Sequence, residues 1–513
     1  MDLAARIQAL RDPAAYPDAA GSIGVRQTHL SAVFLTERFA YKIKKPVVLP
    51  FVDQGTLERR RALCEAEVLV NRRLAPSVYL AVVPIVAEGD RLRVEGAGDP
   101  IEWAVKMRRL PDADRLGDRL DQGRVDVRMV QALAERLASF HRVAEGGPAI
   151  SNAASADAVA ALVRANLAPS ELERSGSVHP AVLRRLRERT EQLLEELTPV
   201  IDGRANRLVP RDTHGDLRLD HVYLDDSGTI LIVDAIEFSP RLRYADPVAD
   251  IAFLGMDLDF RGRRDLGRIL TDNWFASRQD DEGRALLAFY KAYRALVRAK
   301  VDLFLEGEPE VPRAERGSAA DRARGRFLQA LGELGPPGRR PGLVLIGGLP
   351  GTGKSTLARR LAEEAGLDLI QTDQVRKEGR SPVSYADEAQ DLVYQACCQR
   401  AADRLFQGGR ALMDATFLKA VHRRLLVKLA LDHGVPAVLL VCQAPPEIVR
   451  ARLEERRGDH SDATWEVHRH LADQWEDWKA PDGLVSRSID TDGPLASVVA
   501  KSIAALREAG LCG

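Results

Sequence analysis

The sequence predicts an α+β half followed by an α/β half built on a parallel sheet, and three observations carry that reading. Residues 22–110 hold short apolar runs of strand type around one helical pattern, whereas 125–305 read as mainly helical. From residue 342 onward, apolar runs alternate with amphipathic helices, the rhythm of parallel strands covered by helices on both faces. Between the halves stands Gly335-Pro336-Pro337-Gly338-Arg339-Arg340-Pro341-Gly342. Its prolines lack backbone donors and its glycines favour turns, so no helix or strand is expected to run through it. The expected boundaries are a first domain over 1–335 (lobes at about 22–110 and 111–335), a linker at 336–341 and a second domain over 342–513.

Taken in order, Ala32–Thr36 and Phe39–Val48 read as strands meeting at the Glu37-Arg38 turn, and Leu57–Leu74 as a helix. Tyr79–Pro84, Leu92–Glu95 and Glu102–Arg109 read as three further strands. Val222-Tyr223-Leu224 and Thr229–Val233 form a hairpin whose turn is Asp225-Asp226-Ser227-Gly228. Glu306–Pro312 reads as a loop and Ala314–Leu334 as the last helix of the first half. In the second half the strands are Leu343–Ile346, Leu367–Gln371, Ala411–Met413 and Ala437–Val441.

A chain of 513 residues exceeds one ordinary core; at roughly 150 residues per domain it accommodates about three or four structural units. Its 45% hydrophobic and 29% charged content is that of a globular chain. Lys and Arg (74) balance Asp and Glu (75), so no global field steers it toward nucleic acid or a membrane. Cys64, Cys397, Cys398, Cys442 and Cys512 show no paired metal spacing, and a reduced, cytoplasmic setting is expected. The opening Met-Asp-Leu-Ala-Ala-Arg has no apolar core before Pro13 and Pro17, so no secretory signal is expected. No stretch approaches the roughly 18–20 uncharged apolar residues of a membrane span.

Gly348-Leu349-Pro350-Gly351-Thr352-Gly353-Lys354-Ser355 fits G-x-x-x-x-G-K-[ST], follows an apolar strand and opens a predicted helix, Thr356–Ala365. Glycines let backbone N–H groups turn inward around phosphate oxygens, and the helix N-terminus adds partial positive charge. Gly348, Gly351, Gly353 and Thr356 are therefore expected to cradle a nucleotide's phosphates. Lys354 would reach the β- and γ-phosphates, and the Ser355 hydroxyl would ligate Mg²⁺. Asp373, after the second strand, is placed to orient and deprotonate an acceptor hydroxyl, with Arg376 holding an anionic group or the acceptor. A helix N-cap Asp with a solvated Arg is the alternative. Asp414 ends the run Ala411-Leu412-Met413 and reads as a carboxylate acting on Mg²⁺ through water, or as a strand-end cap. Arg450, Arg452, Arg456 and Arg457 crowd one helical stretch, with Arg452 and Arg456 on one face. They would close over the phosphates as a lid and stabilise charge in transfer, unless Glu454 and Glu455 make this a salt-bridged surface helix.

Residues 342–510 resemble the small P-loop kinases grouped with bacteriophage polynucleotide kinase, gluconate kinase and zeta-toxin-like phosphotransferases. GLPGTGKST, TDQVR, LMDATF with His422-Arg423-Arg424, and RLEERRGDHSDA carry the likeness. It implies Asp373 as base, Arg452 or Arg456 in a lid, and phosphoryl transfer to an alcohol; the family's acceptors span sugars, nucleotides, polynucleotides and peptidoglycan precursors.

Upstream, His214-Gly215-Asp216-Leu217-Arg218-Leu219-Asp220-His221 precedes the hairpin and Asp234 ends it. A hairpin returns its ends to one place, so Asp216, His221 and Asp234 are expected to converge. An acceptor carboxylate, a second ligand five residues on and a Mg²⁺ carboxylate form half of a phosphotransfer site. Lys42, in Phe39-Ala40-Tyr41-Lys42, would face the phosphates, with Lys44 on the same strand face as its rival. Glu67 on the next helix would pair with the lysine, and Val105-Lys106-Met107 would lie beside the base.

Residues 22–305 resemble the aminoglycoside phosphotransferase-like branch of the protein-kinase-like fold, through HGDLRLDH, IVDAIEF and YADPVADIA. The resemblance implies a bilobal kinase-like first domain joined to an α/β P-loop NTPase second domain, with Asp250 bracing the loop that carries Asp216. His221 stands where the family has Asn, Thr36-Glu37-Arg38-Phe39 replaces a glycine-rich phosphate lid, and acidic loops for a polycationic acceptor are missing. An aminoglycoside substrate is therefore not expected. The expected function is a bifunctional kinase using ATP or GTP with Mg²⁺ on small-molecule hydroxyls. Two alternatives stand beside it: a non-catalytic first half that binds nucleotide or metabolite and regulates, and a polynucleotide 5′-hydroxyl kinase in the second half. The latter is disfavoured by balanced charge and only 5% aromatic residues.

Overall fold

The computed structural model describes residues 2–18, 21–49, 52–168, 176–225, 227–307, 311–378, 387–455 and 464–513. Two compact units emerge: one of Met1–Ala158, Val200–Leu254 and Ile269–Arg284, the other of Val159–Pro199, Gly255–Arg268 and Ala285–Gly513. The helix Arg313–Leu334 buries every residue from Gly325 to Gly332, more than the single apolar face of Phe327, Ala330, Leu331 and Leu334, so this stretch is covered all round within the second unit.

In the first unit a six-stranded antiparallel sheet runs in the order Gly24–Gln27, Ser31–Leu35, Phe39–Lys44, Pro100–Arg108, Tyr79–Glu88, Arg91–Val94. Side chains alternate along Phe39–Lys44. Tyr41 and Ile43 enter an apolar cluster with Leu10, Tyr16, Phe34 and Ile85. Lys42 and Lys44 occupy the opposite face, against the helix Leu57–Asn71. This central strand stops at Lys44, short of the predicted Val48, because Pro46 has no N–H to continue a ladder. Val48–Leu49 pairs instead with Val52–Asp53. The edge strand Gly24–Gln27, with little apolar periodicity, gave no signal of its own. The hairpin forms as Val222–Leu224 against Ile230–Ile232, with Asp226 of its turn outside the described residues. This unit is α+β: an antiparallel sheet beside helices.

The second unit contains a five-stranded parallel sheet in the order Asp368–Gln371, Arg410–Asp414, Gly342–Gly347, Ala437–Gln443, Val485–Asp490. All six residues of Gly342–Gly347 are buried, as expected of a strand covered on both faces. Val344, Ile346, Leu357, Leu361, Leu412 and Leu440 share one core cluster. Consecutive strands fall on opposite sides of Gly342–Gly347, so its carboxyl end opens on a topological switch point, where α/β sheets bind ligands. The fifth strand escaped prediction because Val485-Ser-Arg-Ser-Ile-Asp is a half-solvated edge. The helix Leu287–Gly307 runs into the predicted Glu306–Pro312 loop, of which 308–310 lie outside the described residues. Among the described residues no helix is long and apolar enough to cross a membrane.

Candidate active sites

At the switch point of the second unit the chain leaves the central strand through Gly348, whose φ is +143° and where a Cβ would lie 2.6 Å from the Cys442 carbonyl oxygen. Only glycine fits there. Gly353, at φ +83°, caps the helix Lys354–Ala365, so Lys354, Ser355 and Thr356 form the first helical turn, where N–H groups lack intrahelical acceptors. Gly351 lies in the loop between them, also at positive φ. Thr352 Oγ1 donates to the Leu349 carbonyl at 2.7 Å and holds the loop closed.

Asp414 stands on the adjoining strand, in register with Ile346. Its Oδ2 accepts from Gln371 Nε2 at 2.9 Å, while Oδ1 is buried and has no hydrogen-bond partner among the described residues. A buried carboxylate oxygen left open is costly, and it fits a hydrated cation beside the loop. Burial pushes the Cys442 thiol up to about 12; Lys354 opposes that shift and Asp414 adds to it, so both charges lie near this thiol.

Asp373 sits in the first turn of the helix Thr372–Glu378 and accepts from Arg376 at 2.9 Å. Its strand is one removed from the central strand, with Arg410–Asp414 between them. The pair faces residues that sequence reasoning did not single out as a site. Burial raises the Tyr394 hydroxyl, which also feels Arg376 and Asp373. Tyr394 stacks on His422 with ring centroids 3.7 Å apart, and its oxygen accepts from the Phe417 amide at 3.0 Å. His422 reaches Asp391 at 2.8 Å. Only the His422-Arg423-Arg424 string hinted at this group; Tyr394 comes from another helix.

Arg452 donates to Thr491 Oγ1 at 3.2 Å and to the Thr491 carbonyl at 2.6 Å, and Thr491 Oγ1 donates to the Thr352 carbonyl. A Cβ on Gly353 would lie 3.3 Å from the Arg452 guanidinium, so this arginine borders the glycine loop. Arg450 instead pairs with Glu454 in solvent at 2.8 Å, the surface-helix alternative. Arg456 and Arg457 lie outside the described residues.

In the first unit, Lys42 Nζ donates to Glu67 at 2.8 Å and to Asp234 at 2.7 Å. Lys44 pairs with Glu67 and with Glu237. The two lysines differ in exposure. Lys44 is 2% exposed and faces inward, whereas Lys42 reaches Asp234, whose side chain is 45% exposed. Burial alone would raise the Asp234 carboxyl, but the Lys42 ammonium outweighs it and holds the group well below the usual range.

Asp216, His221 and Asp234 do converge: His221 Nδ1 is 3.6 Å from Asp216 Oδ2, and Nε2 is 3.4 Å from Asp234 Oδ2. Yet His221 offers no open nitrogen. Arg218 donates to Nε2 at 2.7 Å, and Nδ1 lies 2.8 Å from the Asp216 carbonyl oxygen. A guanidinium has only donors, so Nε2 must accept and Nδ1–H must donate, a neutral tautomer. Burial, then Arg218, lowers the His221 pKa in the same sense. Among the described residues no group of three or more His, Cys, Asp or Glu is arranged to hold a metal. Asp250, fully buried, accepts from the His214 and Gly215 amides at 2.7 and 3.0 Å and lies 3.2 Å from His141 Nε2, fixing the loop that precedes Asp216.

Residues 343–480 match the AAA domain family. Uncharacterized proteins of Mycobacterium tuberculosis and Mycobacterium bovis are 34% identical over 486 residues, covering 92% of this chain and 93% of theirs. Similar solved structures include a sugar kinase from Janibacter sp. (19% identity, 34% of this chain, 98% of that one, TM-score 0.28). A gluconokinase from Sinorhizobium meliloti (23%, 33% and 94%, TM-score 0.26) and the Mycobacterium tuberculosis APS kinase (19%, 33% and 98%, TM-score 0.26) are also similar.

Proposed function

Because this chain belongs to the family of those mycobacterial proteins and carries an AAA domain over residues 343–480, we propose that it is a two-domain ATP- or GTP-dependent phosphotransferase. The second unit phosphorylates a hydroxyl of a small molecule. The observation that carries this reading is Asp414, a buried carboxylate beside the glycine loop with one oxygen unpartnered among the described residues. Ser355 and Asp414 would hold Mg²⁺, which when bound neutralises charge on the β- and γ-phosphates. The loop amides and Lys354 hold the phosphates. Asp373, oriented by Arg376, takes the acceptor's proton as the hydroxyl oxygen bonds to the γ-phosphorus and the bond to the β–γ bridging oxygen breaks. Arg452 borders the loop, and Arg456 would complete a lid.

The first unit is, in this proposal, a second small-molecule kinase of the aminoglycoside phosphotransferase-like kind. Lys42, held by Glu67, binds phosphates, Asp216 orients the acceptor and Asp234 serves the metal. A compartment with nucleotide, Mg²⁺ and reduced thiols, such as the cytoplasm, suits both reactions. The test is a metabolite-extract screen for mass gains of one phosphate, run on full-length wild type, Lys354→Ala and Asp216→Ala. Each variant should lose a different product. Loss of all products in Lys354→Ala would sink the two-enzyme reading. A second reading, in which the first unit binds nucleotide without transfer, is favoured by the two occupied nitrogens of His221. It predicts nucleotide binding that survives Asp216→Ala, with no product assignable to that unit.

A further inference from the structure

Asp234 is not glycine, yet its φ is +63°. Left-handed backbone at a non-glycine residue persists only where neighbours hold it, and here every residue from 234 to 237 is tied down. The Asp234 amide donates to the Tyr79 hydroxyl at 3.0 Å, and the Ala235 amide to Asn71 Oδ1 at 2.8 Å. The Ile236 amide donates to the His214 carbonyl at 3.2 Å, and Glu237 pairs with Lys44. Tyr79 and Asn71 are both buried.

Both holding groups are themselves fixed. The pairing between Tyr79–Glu88 and Pro100–Arg108 slips between Tyr79 and Ala81, a bulge that re-aims the side chain at the strand's start. Arg72, capping the helix Leu57–Asn71, donates to the Tyr79 carbonyl at 2.8 Å and to the Leu80 carbonyl, pinning both sides of the bulge. Asn71 Nδ2 donates to the Glu67 carbonyl at 3.0 Å, within the helix that places Glu67 on Lys42.

We infer that Tyr79 and Asn71 are positioning residues that lock Asp234 opposite Lys42 before any ligand arrives, so the first unit's site is permanently assembled rather than switched by movement of the Asp234 segment. Resting on the reading of this unit as a nucleotide–metal site, the inference assigns these two residues a role in metal use.

Two measurements on the full chain test it. Without ligand, hydrogen exchange of a peptide spanning 230–238 should be slow in wild type and at least about tenfold faster in Tyr79→Phe and Asn71→Leu, as expected for a lost hydrogen bond worth about 1.4 kcal/mol. With ATP, Tyr79→Phe should raise the Mg²⁺ concentration for half-maximal nucleotide binding about tenfold, while binding in EDTA stays unchanged. A general loss of structure would weaken both equally and overturn the inference, as would fast exchange in wild type. If the Lys354→Ala chain, otherwise unchanged, binds no ATP, the nucleotide reading of this unit fails, and the exchange result still decides whether the lock exists.

Discussion

The glycine loop of the second unit and the charge cluster of the first are candidate phosphate sites built in opposite ways. The loop is eight consecutive residues, Gly348 to Ser355, shaped by backbone dihedrals and a helix N-terminus. The cluster assembles Lys42, Lys44, Glu67, Asp234 and Glu237, partners separated by as many as 193 positions. A backbone cradle tolerates changes around it, because its donors belong to the chain itself. A buried cluster is only as stable as its charge balance, since removing one member leaves its partner uncompensated.

That contrast can be broken most sharply at Lys44. Lys44→Met leaves Glu237 without its lysine and Glu67 with Lys42 alone, and should cost about 3–5 kcal/mol of the first unit's stability, read as a lowered urea midpoint. An unchanged midpoint would show that the cluster is not held by charge balance. Next in size, Lys354→Ala should leave stability intact while reducing second-unit turnover about 10²–10³-fold, as loss of a phosphate-stabilising group does. Equal losses in both units' products would refute the separation of sites.

The first unit should also respond to pH. His214 is fully buried, and burial lowers its pKa from 6.5 to about 4. Its Nδ1 accepts from the Asp216 amide and its Nε2 faces the Val233 carbonyl, an arrangement for the neutral ring. Because the folded value lies below the unfolded one, the unfolded chain takes up the proton first. Stability is therefore full above pH 6.5 and falls toward pH 4, by about 3 kcal/mol at most. Urea midpoints measured across that window should drop, and a flat profile would contradict the neutral assignment. Asp414→Asn should raise the Mg²⁺ requirement of the second unit about tenfold without moving that of the first, measured by nucleotide binding against metal concentration. Smallest of all, Arg450→Ala should change neither melting temperature nor turnover, its pair with Glu454 lying in solvent.

Much of this was legible beforehand. The strand Phe39–Lys44, the helix Leu57–Asn71, the hairpin after His221 and four of the five parallel strands follow from apolar period and turn chemistry. So does the meeting of Asp216, His221 and Asp234, because a hairpin must bring its ends together. What escaped was of another kind. The Arg218 contact that occupies His221, the second role of Glu67 toward Lys44 and the Tyr394–His422 stack carry no period or spacing. The edge strands Gly24–Gln27 and Val485–Asp490 were missed for lack of a buried face to pattern.

By itself the sequence determined most of the buried helices and strands, which backbone positions need glycine, and that a glycine-rich loop sits between a strand and a helix. These are local matters, settled by dihedral sterics and side-chain period within a few residues. Only the tertiary structure decided which lysine meets Asp234, what fills the histidine's nitrogens, and that Asp414 keeps one oxygen open. Those outcomes depend on distances between segments remote in the chain, where side-chain burial and charge compensation are set by packing rather than by neighbours in sequence.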